Sequence, residues 1–353
     1  MIKIKSFLTK LLQWEHWPTF AFYMPLIPYY IFSAIKAKHP LFFLTINPAI
    51  KHSGHGTESK YDTIQLIPQK YKPLSILINR GSNFNDILLK IKENKIKFPL
   101  IAKPDIGFRG YLVKKIDSKR ELDMYFQKNN LDIIIQEFID YKNECGILYY
   151  RLPGETQGKI TSITLKKFLT VTGNGRSTLS ELILTDKRAY LYYYILNNIH
   201  KEKMFNTPKD GELIKLTVIG NHSKGTQFIN GNHLISKKLE QTFDVINDQI
   251  KGWNYGRLDI KYNSFEELTA GENFKILEIN GIISEPTHIY DPTNASYFKA
   301  VQSLKKHWSI MNIIALKNHK IFHVPYPKTM PYIKEMFWLR KYSKKLIKLN
   351  RLN

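Results

Sequence analysis

Two stretches of sequence decide the fold assignment: GWNYGRLDIKYN at residues 252–263 and ENFKILEINGIISEP at residues 272–286. In each, polar and aliphatic residues alternate, which is typical of a β-strand whose successive side chains point to opposite faces. Arg257 and Asp259 therefore share one face of the first strand. The short connection between the stretches allows the two strands to pair as an antiparallel hairpin.

The second strand places Glu278 and Asn280 on one face in the same way. If the strands pair, two carboxylates, an amide and a guanidinium meet on one side of the sheet. Oxygen ligands of this kind suit Mg²⁺, or Mn²⁺, held together with substrate phosphates, and arginine suits a phosphoryl oxygen. We predict metal ligands at Asp259, Glu278 and Asn280 and a catalytic role for Arg257. The alternative is two amphipathic surface strands whose charges face water.

A second candidate element is FPLIAKPDIGFRGYLV at residues 98–113. Lys103 lies within an apolar strand pattern, and a partly buried lysine is unusual unless it meets an anion. Gly107 and Gly110 allow a loop whose backbone approaches phosphates closely. We predict that Lys103 is catalytic and binds phosphate, although the loop alone also fits a simple hairpin turn.

The rest of the chain alternates strand-like and helical patterns without a strict βαβ rhythm, which predicts an α+β fold. The strand-like runs are LIAK, YLVKKI, DIIIQEFI, ILYYRL, KITSITL, RLDIKY and FKILEIN, and the helical patterns include SKRELDMYFQKN and KKLEQTFDVINDQIK. We expect a catalytic body from about Glu58 to Lys317.

Composition excludes a disordered chain, because 43% of the 353 residues are hydrophobic and 13% are aromatic. The single cysteine, Cys145, excludes an internal disulfide and suits a reducing compartment. No apolar leader with a small-residue cleavage site begins the chain. We therefore expect a cytoplasmic protein.

The net charge of +23 is concentrated at the two ends of the chain. Residues 1–38 supply +4 and residues 328–353 supply +7. An electrostatic contact with an anionic membrane or a nucleic acid would lie at these ends. The body shows no aromatic and basic RNA-binding motif, so a nucleic-acid partner is disfavoured.

The stretch PTFAFYMPLIPYYIFSAI, at residues 18–35, is aromatic-rich and lacks full charges. Pro25 and Pro28 break a single helix, and the run is barely long enough to span a bilayer. Three alternatives stay open: a segment packed on the body, an interfacial anchor with Lys36 and Lys38 at its end, or a true span.

The end of the chain, from Tyr332 to Asn350, predicts a basic amphipathic helix. Its apolar residues recur at three- and four-residue spacing: Ile333, Met336, Leu339, Tyr342, Leu346 and Leu349. Such a helix either docks on the domain or binds a membrane surface, which Phe337 and Trp338 would suit.

In this order, the motifs resemble the ATP-grasp superfamily, which includes D-alanine–D-alanine ligases and cyanophycin synthetases. Lys60 in GTESKYDTIQLIP and Lys103 look like the two phosphate-binding lysines, and PDIGFRG resembles the loop that closes over the phosphates. The polar residues of the two strands match the family's arginine and magnesium ligands. The similarity runs from about Lys60 to Asp291 and implies two α+β lobes that clasp ATP and Mg²⁺.

The resemblance also implies nucleotide contacts in IIIQEFIDYKNEC, residues 133–145. There Gln136, Glu137, Phe138 and Ile139 look like the segment that joins the lobes and contacts adenine. Glu144 matches the carboxylate that binds the ribose hydroxyls.

FLTVTGNGRSTLSELI, at residues 168–183, resembles the VTGDG-type stretch of cyanophycin synthetases and suggests a substrate role for Arg176. Thr178 and Glu181 also form a plain capping box at a helix start. Just upstream, either Lys166 or Lys167 reaches phosphate, and the sequence does not decide between them.

The chain also departs from the family pattern. Only 59 residues precede Lys60, where ATP-grasp ligases usually carry a larger Rossmann-like domain. After Asn280 this chain reads GIISEPTHIYDP, whereas D-alanine ligases have a glycine- and serine-bearing loop. A D-alanine substrate is therefore disfavoured.

Polar residues after the metal ligands are candidates for an acceptor pocket. We predict substrate contacts at Glu285, His288 and Asp291, with Asn221 and Ser223 of NHSKGTQF as weaker candidates. The alternative for the first three is a loop that its own prolines stabilise.

The resemblance implies a carboxylate–amine ligase that forms an acylphosphate from ATP. The alternatives are a kinase of the same fold, or a non-enzymatic basic protein that binds membranes or nucleic acid. If the ends are anchors, the substrate is a small or lipid-linked envelope precursor at the inner face of the membrane. The oligomeric state stays open.

We divide the chain into an N-terminal segment at 1–58, an N-terminal lobe at 59–135, a C-terminal lobe at 136–320 and a tail at 321–353. Removal of residues 328–353 is expected to abolish vesicle binding and to leave ATP binding intact.

Overall fold

The structure is a computed structural model that describes residues 9–11, 14–217, 220, 225–291, 293 and 296–352. The helices are α1 (Thr19–Tyr23), α2 (Ile27–Ala37), α3 (Lys60–Gln65), α4 (Phe84–Glu93), α5 (Lys119–Lys128), α6 (Leu179–Thr185), α7 (Tyr193–Ile199), α8 (Lys237–Asp248), α9 (Phe265–Ala270), α10 (Tyr297–Lys320) and α11 (Thr329–Leu352). The strands are β1 (Ser75–Ile78), β2 (Leu100–Pro104), β3 (Lys114–Ile116), β4 (Ile133–Glu137), β5 (Asn143–Tyr150), β6 (Lys159–Lys167), β7 (Thr170–Thr172), β8 (Leu213–Lys215), β9 (Gln227–Asn230), β10 (Tyr255–Tyr262) and β11 (Phe274–Asn280).

The predicted α+β class is confirmed, with two large antiparallel sheets and a third sheet of two strands. The N-terminal lobe is built on a sheet of order β1-β4-β2-β3, and the C-terminal lobe on a sheet of order β11-β10-β5-β6-β9. Helices α4 and α5 cover the first sheet, and α8 packs on the aliphatic face of the second. Their first turns are capped by the side chains of Asn83, Ser118 and Ser236, as expected for good N-cap residues.

The predicted hairpin is confirmed. Strands β10 and β11 pair antiparallel, with Arg257 opposite Asn280 and Asp259 opposite Glu278. A β-bulge follows Asp259, and bulges of this kind re-aim a side chain near a functional site. All four polar side chains therefore emerge on the same face of the sheet.

The division into lobes differs slightly from the expected boundary at residue 136. Gln136 and Glu137 are the last residues of β4, so they belong to the N-terminal lobe. Between β6 and β9, the small sheet of β7 and β8 packs with α6 and α7 around its own core. The capping box of Thr178 and Glu181 starts α6, as the structural alternative predicted.

The N-terminal segment forms short helices that lie against α10. Phe22 and Leu26 are buried with Leu304, whereas other apolar side chains of α1 and α2 face outward. Pro25 and Pro28 lie at the points where one helix gives way to the next. Among the described residues, no helix is both long enough and apolar enough to cross a bilayer.

Helix α11 is not a separable tail, which corrects the expectation for residues 321–353. Leu346 is fully buried in the N-terminal lobe's core, and Tyr332 lies in a core that α2 and α10 share. The Tyr342 hydroxyl donates to the Ile106 carbonyl at 3.0 Å, and Asn350 Oδ1 accepts from the Leu112 amide at 2.9 Å. The helix therefore holds the loop of residues 105–113, so its removal would expose core and break these contacts.

Leu346→Ala is expected to lower the free energy of unfolding by about 2–5 kcal/mol, because truncation leaves a cavity in a closed core. Phe337→Ala on the same helix is the matched control, since 62% of that side chain is already exposed. Urea unfolding of both variants measures the difference. Equal effects of the two substitutions would contradict the docking of α11.

Candidate active site

A cavity of about 1020 Å³ lies between the two lobes. It gathers the polar residues that the sequence singled out on β2, α3, β10 and β11. These are Lys60, Lys103, Arg257, Asp259, Glu278 and Asn280. The predicted catalytic and metal residues are therefore close together in space.

Asp259 is the centre of the polar face. Its carboxylate accepts from Arg257 Nε at 3.1 Å, from Lys166 Nζ at 3.1 Å and from the Asn280 amide at 3.1 Å. Burial on its own would raise the pKa of the Asp259 carboxyl, but the charges of Arg257 and Lys166 hold that pKa well below its ordinary value. Asp259 is therefore ionised at neutral pH.

Glu278 is ionised for the same reason. Burial opposes its charge, but Lys60 and Lys103 lower the pKa of the Glu278 carboxyl. Lys60 Nζ donates directly to Glu278 Oε1, and although burial opposes the ammonium, this carboxylate raises the pKa of Lys60. A cation from α3 and a carboxylate from β11 are thus already paired before any ligand binds.

The chemistry of this donor set fits Mg²⁺. Asp259 and Glu278 are ionised, and the Asn280 amide oxygen offers a third hard ligand on the same face. No group of three or more His, Cys, Asp or Glu side chains within the described ranges is arranged to hold a metal. The protein's share of the ligands would therefore be small, as is usual for Mg²⁺ that is bound together with phosphates.

Lys103 is buried in the wall of the cavity. Its Nζ donates to Gln136 Oε1 at 3.1 Å and to the Leu277 carbonyl at 3.3 Å. Burial lowers the pKa of Lys103 to about 8, although Glu278 opposes the shift. This lysine is therefore poised between a charged and a neutral form near physiological pH.

Mg-ATP affinity is expected to fall as pH rises through about 8, because neutral Lys103 no longer attracts phosphate. If only the charged form binds, the loss is about tenfold per pH unit above that value. The free energy of unfolding should rise between pH 8 and 10.5, since the folded protein holds this proton less tightly than the unfolded chain. Calorimetric titrations with wild type and Lys103→Arg measure the first effect, and a wild-type affinity that is flat with pH would contradict it.

The positions of Lys166 and Lys167 favour Lys166 as the lysine that would reach phosphate. Lys166 Nζ lies 2.8 Å from Glu144 Oε1 and its side chain lines the cavity, whereas Lys167 is exposed. Glu144, predicted to bind ribose, is buried beside this lysine. Its role toward ribose stays a prediction.

The predicted adenine contacts lie at the junction of the lobes. The Gln136 amide holds Lys103, and Glu137 Oε2 accepts from the Leu74 amide at 3.0 Å. Ile139 is buried, and none of Gln136, Glu137, Phe138 and Ile139 is among the described residues that line the cavity. Their contact with adenine stays a prediction, and it would use backbone atoms more than the two engaged side chains.

The loop after β2 borders the cavity as expected. Gly107 and Gly110 line it, and Gly110 has a positive φ of 66° that favours glycine. Arg109 and Glu58 also line the cavity, and the sequence interpretation missed both. Each lies within three residues of a residue that was predicted to line the site. This proximity in sequence was the signal that could have identified them.

Of the predicted acceptor residues, Glu285 lies in the cavity wall. It accepts hydrogen bonds from the Tyr23 hydroxyl and, at 2.7 Å, from the Tyr290 hydroxyl. A residue of the N-terminal segment therefore helps to build this part of the site.

His288 and Asp291 serve the structure instead. His288 Nδ1 lies 2.7 Å from Ser162 Oγ, and burial lowers the pKa of His288 to about 4. Asp291 Oδ2 accepts a hydrogen bond from the backbone N–H of Asn230 at 2.7 Å. Neither is among the described residues that line the cavity, so the loop alternative accounts for both.

The other substrate predictions are not brought into the site. Arg176 is exposed in the turn before α6 and is absent from the described lining of the cavity. Its backbone amide donates to Asn174 Oδ1 at 3.1 Å, which is a turn contact. Asn221 and Ser223 lie outside the described residues.

No protein-family model and no curated protein matches this sequence. Among solved structures, it matches a bifunctional glutathione synthetase from Pasteurella multocida, with 12% identity and a TM-score of 0.40 over 71% of this chain and 36% of that one. It also matches VanG D-Ala:D-Ser ligase from Enterococcus faecalis, with 14% identity and a TM-score of 0.42 over 73% of this chain and 64% of that one. D-alanine–D-alanine ligase from Bacillus anthracis matches with 13% identity and a TM-score of 0.38 over 74% of this chain and 68% of that one. Since all three TM-scores are below 0.5, the functional proposal rests on the side chains of the site itself.

Proposed function

We propose that this protein is a Mg-ATP-dependent carboxylate–amine ligase of the ATP-grasp kind. One observation carries the proposal: a single cavity between two lobes combines Lys60, Lys103, Lys166 and Arg257 with the ionised pair Asp259 and Glu278. Four cations suit a polyphosphate, and two carboxylates beside them suit its metal.

In the first step, an oxygen of the substrate carboxylate attacks the γ-phosphorus of ATP. The bond from that phosphorus to the β-phosphate oxygen breaks, so that ADP leaves and an acylphosphate forms. Lys60, Lys103 and Arg257 balance charge on the transferring group from fixed positions. Asp259, Glu278 and Asn280 would hold Mg²⁺, which would supply positive charge at the phosphate oxygens.

In the second step, a neutral amine attacks the acyl carbon and expels inorganic phosphate, which gives an amide. The chain needs no covalent nucleophile, because positioning and electrostatics lower both barriers. Arg109, at the loop border of the cavity, is placed to hold the anionic end of the acid or the phosphate.

Hydroxylamine, used as the amine, tests this function before the natural acceptor is known. With Mg-ATP and a panel of carboxylic acids, the proposal expects an acyl hydroxamate and free phosphate only when the correct acid is present. A phosphorylated product without phosphate release would instead indicate a kinase. Lys103→Ala should abolish hydroxamate formation, and Lys167→Ala should preserve it.

We also place the protein at the inner face of an anionic membrane. Outward-facing apolar residues on α1 and α2 run from Phe20 to Ile35 at three- and four-residue spacing, with exposed fractions from 48% at Ile27 to 71% at Ile35. Between Glu15 and Glu58 the sequence carries no acidic residue. An apolar face without anions suits an interface with anionic lipids.

The apolar face extends toward α11. The Tyr326 hydroxyl donates to the Ala37 carbonyl at 3.2 Å, which places the end of α2 beside the segment that leads into α11. Phe337 and Trp338 of α11 are also exposed, as the alternative with a membrane-binding tail requires. Helix α11 therefore both docks on the lobes and offers apolar groups outward.

Cosedimentation with vesicles of phosphatidylcholine and phosphatidylserine tests this placement. The double variant Ile31→Ser and Ile35→Ser should lose most binding, and high salt should weaken the wild type. Leu89→Ser, which removes an equally exposed apolar side chain from α4, is the control. Equal vesicle binding by the double variant and the control would show that α2 does not contribute to the membrane contact.

A further inference from the structure

One part of the cavity is lined mainly by apolar residues, and we call this part the apolar arm. The N-terminal segment and α10 supply its walls, which are mainly aromatic and aliphatic. Its principal lining residues are Tyr23, Tyr30, Phe43, Leu304, Trp308 and Met311. A site for small polar substrates alone has no use for such a wall, since burying apolar surface favours an apolar ligand.

A second hollow, of about 340 Å³, adjoins the apolar arm and shares part of its lining, and we call it the outer groove. It is lined by Phe20, Met24 and Ile27 together with four side chains that also line the arm. The shared four are Tyr23, Tyr30, Phe43 and Trp308. The outer groove carries no charged lining residue and opens among the exposed apolar residues of α1 and α2.

Glu285 lies where the arm meets the catalytic residues. Burial raises the pKa of Tyr23 and Tyr290, and the Glu285 charge raises both further, so both hydroxyls keep their protons and donate to it. Each carboxylate oxygen retains a free lone pair for another donor. Among the described residues no Lys, Arg or His forms an ion pair with Glu285, and Arg257 acts on it only through space.

Ser33 adds a second polar feature to the wall of the cavity. Its side chain is 1% exposed, and its hydroxyl has no hydrogen-bond partner within the described structure. A buried hydroxyl without a partner is unfavourable unless a ligand satisfies it. A polar atom between the head and the chain of a bound amphiphile would do so.

We propose that the acceptor is an amphiphilic amine whose ammonium group binds Glu285 and whose hydrocarbon chain runs through the apolar arm into the outer groove. This inference rests on the proposed ligase function and names the class of its acceptor. The negative charge of Glu285 would repel an anionic head at the same point. The carboxylate substrate, in contrast, would lie near Arg257 and Arg109. A lipid chain reaches the outer groove directly from a bilayer that covers α1 and α2.

The reaction at this site balances without another reactant. The ammonium gives one proton to Glu285, and the neutral nitrogen then forms the C–N bond with the acyl carbon. The C–O bond of the acylphosphate breaks, and inorganic phosphate leaves with the bonding pair. A second proton leaves the nitrogen as the amide forms, and solvent takes both protons.

Simple alkylamines test the inference on the full chain. Calorimetry with butylamine, octylamine and decylamine, each with Mg-ADP, should show affinity that increases about threefold to fourfold for each methylene buried. Glu285→Gln should weaken the binding of decylamine at least tenfold and leave the affinity for decanol unchanged. Met24→Ser with Ile27→Ser should flatten the dependence on chain length, and Val245→Ser, exposed on α8, should not.

The inference is overturned if decylamine binds no better than butylamine, if decanoate binds as well as decylamine, or if Glu285→Gln has no effect. Mg-ATP binding, measured on the same samples, separates this failure from a failure of the proposed function. If Mg-ATP binding is retained and any of these results is found, only the proposal of an amphiphilic acceptor is contradicted. If the folded wild type does not bind Mg-ATP, the proposed ligase function is contradicted, and the acceptor assignment is contradicted with it.

Discussion

Asp259→Asn is expected to weaken Mg-ATP binding by about a hundredfold or more and to destabilise the fold by about 3–5 kcal/mol. The carboxylate is a predicted metal ligand, and it also neutralises Arg257 and Lys166 in a mostly buried site. The variant loses a metal ligand and leaves two cations unpaired. Calorimetry measures the affinity, and urea unfolding measures the stability.

Added Mg-ATP should raise the free energy of unfolding of the wild type but not of this variant, since ligand binding stabilises only a protein that binds the ligand. Glu272→Gln, on the exposed turn before β11, is the control for loss of one carboxylate. Wild-type affinity in Asp259→Asn would contradict its role as a ligand, whatever its stability.

Lys166→Met should lower the rate of the proposed ligase reaction by about a hundredfold or more, because it removes a fixed cation from the proposed phosphate site. It also leaves Glu144 and Asp259 short of a partner, as both accept from this ammonium at 2.8 and 3.1 Å. Hydroxamate formation and Mg-ATP affinity measure the change.

Lys167→Met is the matched control, because it has the same chemistry one residue along the same strand with its side chain exposed. The control should keep nearly wild-type activity. Equal losses of activity in the two variants would show that any positive charge on β6 has the same effect. The specific contacts of Lys166 would then have no role of their own.

The polar hairpin could be predicted from sequence because strand alternation is a local rule. The alternation of Arg257 and Asp259 with aliphatic neighbours fixes a face without any tertiary information, and the partner strand carries the complementary pattern. Lys103 was predictable for the same reason, as a charge inside an apolar strand.

Three features needed tertiary information. The choice between Lys166 and Lys167 depends on which face of β6 is turned toward the cavity, and a one-residue shift reverses it. The amphipathic pattern of α11 does not say whether its apolar face meets a membrane or the N-terminal lobe. The aromatic N-terminal segment left three alternatives open, and its sequence could not show that Tyr23 reaches Glu285, which lies 262 residues away.

Arg176 shows the opposite error. Its motif resembled a substrate loop, but the same letters encode a turn and a capping box, and those local interactions account for the segment. A short glycine-containing motif without a buried charged partner was therefore a weak indicator of the site.

The central claim is that Asp259 and Glu278 hold Mg-ATP between the lobes together with Lys103. The most direct measurement is calorimetric titration of Mg-ATP into the wild type, into Lys103→Ala and into the double variant Asp259→Asn with Glu278→Gln. We expect the wild type to bind Mg-ATP only when magnesium is present, and we expect both variants to lose this binding. Failure of the folded wild type to bind Mg-ATP, or undiminished binding by the folded double variant, would contradict it.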